Sequence, residues 1–141
     1  MSNNQRIAAA ICSTFVLLAT IGCGGGGFQP VSGTVSIKGG KPLTKGMVRF
    51  TKVDTGKATS AVGDIDAQGN FQLSSVSKND GALPGDYTVT LSGTEIGGGY
   101  DKPGEPQVKP AADKYDTDKT TDLKFTVKPG KNVAKLELDP K

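Results

Sequence analysis

Apolar and polar positions fall into two regimes along this chain. From Ile7 to Ile21 nearly every residue is apolar, a run of about 15 residues following Arg6 and the positive amino terminus. A helix needs roughly 20 residues to cross a bilayer, so this run has the length and flanks of a secretory signal rather than of a membrane span. Beyond Phe28 no stretch keeps an i, i+3, i+4 apolar repeat; period-two alternation replaces it, broken by turn residues. Val31, Gly33, Val35 and Ile37 alternate with Ser32, Thr34 and Ser36, and Gly39-Gly40 then offers a hairpin turn. Val48 and Phe50 mark a second strand, Lys57 to Val62 a weaker third, and Phe71 with Leu73 a fourth. After the turn former Pro84-Gly85 come Tyr87, Val89 and Leu91, then Leu123, Phe125 and Val127, then Ala134, Leu136 and Leu138. Seven short strands in about 110 residues predict a two-sheet β-sandwich.

Two stretches fall outside this alternation. Ser74 to Leu83 is polar and reads as an ordered loop. Gly93 to Tyr115 carries Gly97-Gly98-Gly99, Pro103-Gly104, Pro106 and Pro110 and reads as a long exposed crossover, a length of loop that is usually functional or disordered.

Composition narrows the chemistry. The 141 residues include no His and no Trp, which removes Ser-His and Cys-His nucleophile pairs and His-ligated metals. A formal charge of +3 gives no footprint for nucleic acid. Of the two cysteines, Cys12 lies inside the apolar run and would leave with a cleaved signal, so Cys23 would stand alone and no internal disulfide is expected.

The apolar run ends in Gly22-Cys23, followed by Gly24 to Gly27. This resembles the lipobox of bacterial lipoproteins, although Thr20 stands where that family prefers Leu. The resemblance implies cleavage after Gly22, a diacylglycerol thioether on Cys23 and acylation, for example with palmitate, of the new amino terminus. Several acyl chains on one residue make a durable anchor where one is marginal, and the Gly run is a flexible tether. The expected organisation is a signal peptide helix over 1–22, a lipidated Cys and tether over 23–30, and a β-domain over 31–140.

A second resemblance covers that domain. Val31-Ser-Gly-Thr-Val35, Gly40-Lys-Pro-Leu43, Val48-Arg-Phe50, Asp66-Ala-Gln-Gly-Asn-Phe71 and Pro84-Gly-Asp-Tyr-Thr-Val89 look like the turn and core motifs of carboxypeptidase regulatory-like domains. The stretch Pro110 to Leu138 resembles the ending of many small planctomycete lipoproteins of this type. The resemblance implies a transthyretin-like (prealbumin-like), seven-stranded Greek-key β-sandwich and a binding or stabilising role, with no catalytic residue to carry over.

Candidate chemistry is sparse. Asp64 and Asp66 with Gly69 resemble the opening of a calcium loop, but Ser75 stands at position 12 and a hairpin turn explains them as well. Asp113, Asp116, Asp118 and Asp122 form a second acidic group, with Lys114, Lys119 and Lys124 interleaved. Tyr87 reads as structural, Tyr100 is the best candidate contact residue, and Tyr115 is either an edge-packing residue or a second candidate contact. The expectation is a non-enzymatic, lipid-anchored module on the exported side of a cell membrane or outer membrane, without a cofactor. Its partners would be membrane lipid through Cys23 and an envelope protein or polymer. The alternatives are a small-ligand or calcium-binding envelope protein and a hydrolase acting through carboxylates.

Overall fold

The structure is a computed structural model that describes residues 27–53, 59–95 and 110–141. The signal segment, Gly22, Cys23 and Tyr100 lie outside the described residues, as does part of the expected third strand. Among the described residues the chain is almost wholly β. Its strands are β1 (Val31–Ile37), β2 (Lys41–Pro42), β3 (Lys45–Lys52), β4 (Ser60–Asp64), β5 (Asn70–Gln72), β6 (Gly85–Glu95), β7 (Lys124–Val127) and β8 (Asn132–Leu138). The only helical element among them is a single 3₁₀ turn, Asp113–Asp116.

These strands form two four-stranded sheets. In the first, β1 is central, with β8 parallel along one side and β2 and β5 antiparallel along the other. The second has the order β4-β3-β6-β7, antiparallel throughout. Alternation decides which side chains face in, because successive residues of a strand point to opposite faces. Val31, Val35 and Ile37 of β1, Phe71 of β5 and Ala134, Leu136 and Leu138 of β8 are buried from one sheet. Val48, Phe50, Ala61, Tyr87, Val89, Leu91 and Val127 are buried from the other. All of these sit in one core, and Phe50 is at its centre. Its ring meets those of Phe71, Tyr87 and Phe125 at centroid distances of 6.0, 6.2 and 5.7 Å, within the favourable range for tilted aromatic pairs.

Two glycines let backbones meet more closely than a side chain would allow. At Gly63 on β4 an added Cβ would lie 2.6 Å from the Gln72 carbonyl oxygen. The absence of one lets β4 cross beside the end of β5, where Val62 and Ser74 exchange backbone hydrogen bonds of 2.9 and 2.7 Å and join the edges of the two sheets. Gly81, at φ +87°, takes a backbone shape that L side chains avoid. It packs against Gln29 beside the Gln29–Ala82 bridge, which ties the segment before β1 to the approach to β6.

The structure revises three sequence expectations. An additional two-residue strand, β2, pairs Lys41 and Pro42 with the end of β1. The third expected strand runs later, over Ser60–Asp64, and Gly63-Asp64 extends it rather than ending it. Finally, the strand begun by Tyr87 does not stop at Leu91. It continues to Glu95, past a register shift opposite Lys45 and Met47, so the crossover starts later than Gly93.

Candidate functional site

The outward faces of β1, β5 and β4 converge where Gly63 brings the sheet edges together, and an open groove of about 860 Å³ lies over this junction. Register builds its floor. Ser32 opposes Gln72 and Thr34 opposes Asn70, while the intervening pair is Gly33 with Phe71, whose ring points into the core. Val62 and Asp64 of β4 form one wall, and Val133 of β8 closes the far side. Among the described residues Ser32, Thr34 and Gln72 make no side-chain hydrogen bond, so their hydroxyl and amide groups face the groove unspent. A volume of this size falls in the range of small-molecule sites.

Two rigid turns frame the groove. At one end the Asp66 carboxylate accepts the backbone N–H groups of Gln68 and Asn70 at 2.9 and 2.8 Å, and the Asn70 amide bonds both its oxygens. These bonds, that of the Asn70 N–H foremost, hold its pKa below the ordinary carboxylate value. Asp66 is therefore engaged as the turn former anticipated from the sequence, and Asp64 lines the same groove from the end of β4. At the other end Asp80 accepts the N–H groups of Ser75, Val76 and Ser77 at 2.6, 3.0 and 2.8 Å. The Ser75 N–H leads in depressing its pKa. Asn79 stands at φ +60°, a left-handed position that Asn tolerates, and its N–H donates to the Ser74 hydroxyl at 2.8 Å. The polar stretch after Leu73 is thus an ordered loop that sets Lys78 and Asn79 at the groove's rim.

The second acidic group does not assemble as a cation site. Among the described residues no three carboxylates or cysteines gather within metal-binding reach. Asp116 and Asp118 lie on the exposed surface around the 3₁₀ turn. Asp122 accepts a hydrogen bond from Lys114 at 2.7 Å, and the same ammonium binds Asp139, which also pairs with Lys38.

Of the two readings open for Tyr115, the structure supports packing and corrects the contact role. Its side chain is only 2% exposed. Its hydroxyl donates to the Asp139 carboxylate at 3.2 Å and accepts the Asp139 N–H at 2.9 Å. The Lys114 ammonium lies 4.9 Å from its ring centroid. The residue belongs to a clasp that fastens the ends of β1 and β8 to the 3₁₀ turn. Tyr87 is structural as anticipated, buried and donating its hydroxyl proton to the Leu83 carbonyl at 2.8 Å.

The clasp sets a pH window. Lys114 first, then Lys38, hold Asp139 well below its ordinary value of 3.8. Asp122 is lowered by Lys114 in the same way. Conversely, Asp122 and Asp139 raise Lys114 above 10.5, and Asp139 raises Lys38. A carboxyl depressed by folding stabilises above its unfolded pKa, and that stability is lost as pH falls through the folded value. An ammonium raised by folding stabilises below its unfolded pKa, and that share is lost as pH rises through the folded value. Thermal melts should therefore be flat between about pH 5 and 9 and fall below about pH 4. Asp139→Asn should lower the melting temperature at neutral pH and flatten the acid limb, and an unchanged acid limb would show that the clasp does not act in solution.

No known protein family, no curated protein and no solved structure matches this chain in the comparisons.

Proposed function

We propose that this chain is a non-enzymatic, lipid-anchored module of a bacterial cell envelope, a carboxypeptidase regulatory-like domain of the transthyretin-like, seven-stranded Greek-key type. It is tethered through Cys23 and presents the groove over β1, β4 and β5 to an envelope ligand. The observation that carries the binding role is the groove itself. It is open, sized for a small molecule, and floored by hydroxyl and amide groups without partners among the described residues. Such groups donate and accept hydrogen bonds but are weak nucleophiles without an adjacent base. The sequence contains no His to serve as that base, and of the two carboxylates lining the groove Asp66 is committed to its turn, which leaves Asp64 alone. The anchor rests on Gly22-Cys23 at the end of the 15-residue apolar run and on the Gly run that follows.

The anchoring half is tested by Cys23→Ser. In the native host the variant should accumulate unprocessed or appear in the soluble exported fraction, while the unsubstituted chain fractionates with membranes. A variant that is cleaved and still retained in the membrane to the same extent would refute lipid attachment at this residue.

A further inference from the structure

Among the described residues β8 pairs with β1 only, so its other side is an open sheet edge. Its even-numbered residues turn their peptide groups toward β1: the Asn132 N–H donates to the Pro30 carbonyl at 2.9 Å, and the Leu138 carbonyl accepts from the Lys38 N–H at 2.8 Å. Peptide direction alternates along a strand. Val133, Lys135 and Glu137 therefore present their N–H and C=O groups to the free edge. The edge ends sharply at Asp139, whose carbonyl already accepts the Ala112 N–H at 3.0 Å and whose N–H is held by Tyr115. Unpaired peptide groups of this kind are templates for an added strand.

The charges along the edge select what that strand is. Lys131 precedes β8, and Val133, Lys135 and Glu137 follow on its solvent face, Val133 being 67% exposed. A second copy adding its own β8 antiparallel places edge-directed residues opposite one another about a two-fold axis. With the axis at Lys135, that residue meets itself, and with the axis at Val133, Lys131 meets Lys135; like charges opposite one another destabilise a pair. An axis at Leu136 drives the partner's Val133 onto Asp139, where Ala112 already sits. Centring on Ala134 avoids both faults. Lys131 then faces the partner's Glu137, twice by symmetry, Val133 faces the partner's Lys135, and the paired segment stops short of Asp139. Within each copy Glu137 lies 3.3 Å from Lys135, so each carboxylate would sit between two ammonium groups.

We propose that this chain self-associates by antiparallel pairing of β8 with β8 of a second copy, centred on Ala134 and keyed by the two Lys131–Glu137 pairs. The surface adjoins the groove, with Val133 common to the two.

Sedimentation equilibrium of the full chain in detergent, under reducing conditions, tests this with charge reversals. The unsubstituted chain should show a concentration-dependent dimer. Lys131→Glu alone and Glu137→Lys alone should each weaken it by about tenfold, since two cross-strand attractions become repulsions. An equimolar mixture of the two variants restores both pairs in the heterodimer and should recover the original affinity to within about threefold. Both positions are exposed, and unchanged melting curves would show that each variant is folded. A chain that stays monomeric, a dimer indifferent to either reversal, or a mixture no tighter than its components would each overturn the proposal.

Discussion

Phe50→Ala is expected to remove about 3–5 kcal/mol of folding stability, the usual cost of deleting a fully buried aromatic ring. Phe50 is completely shielded from solvent and is the one residue whose ring meets Phe71 from the opposite sheet as well as Tyr87 and Phe125 from its own. Those three partners are anchored on different strands, so the neighbours cannot collapse into the vacated space without shifting a sheet. A domain of this size has a total margin of about 5–15 kcal/mol, so the variant should melt more than about 10 °C below the unsubstituted protein. Val133→Ala, on the solvent face, should change stability by no more than about 0.5 kcal/mol. Equal effects at the two positions would mean that the core is not organised around Phe50.

Gly81→Ala is the second large effect, and its cause is backbone rather than packing. A Cβ there would stand 1.8 Å from the Gln29 carbonyl oxygen and 2.6 Å from its carbon. No side-chain rotation relieves that overlap, because the obstructing atoms are main chain. They also belong to the bridge in which Gln29 and Ala82 exchange hydrogen bonds of 2.7 and 3.0 Å. Adding a side chain at φ +87° also costs about 1–2 kcal/mol for conformation alone. Losing the bridge as well should bring the total to about 3 kcal/mol or more. Gly39 provides the control: its φ is +102°, but an added Cβ would meet nothing within 4 Å. Gly39→Ala should therefore cost only the conformational share, about 1–2 kcal/mol. Urea unfolding of the two variants separates the contributions, and equal destabilisation would contradict the close approach at Gly81.

The contrast between these glycines shows what a sequence displays and what it hides. Inward faces were legible wherever alternation was clean: Val31, Val35 and Ile37, then Tyr87, Val89 and Leu91, then Ala134, Leu136 and Leu138 are all buried as their spacing requires. The Asp66 turn was legible too, because its hydrogen bonds span only two to four residues. Pairing was not. Nothing local says that β1 lies parallel to β8, about a hundred residues away, or that Gln29 meets Ala82. The third strand was expected only as far as Val62, yet Gly63 continues it and is where β4 passes close to Gln72.

The groove stayed invisible for a related reason. Its floor consists of polar residues on the outer faces of strands, which in sequence are indistinguishable from any solvated surface. Only the register of β1 with β5 and the junction of β4 with Ser74 gather them. Tyr115 could be read from sequence only as either packing or contact. Its neighbours Lys114 and Asp116 are polar, and its burial depends on Asp139 arriving from the far end of β8.

The central claim is that this β-domain works while tethered to a membrane through Cys23, and the intact mass of the mature protein extracted from native membranes tests it most directly. The account predicts a chain that begins at Cys23 and carries added diacylglycerol and acyl mass. A mass that begins at Met1, or at an unmodified residue beyond the apolar run, would contradict it.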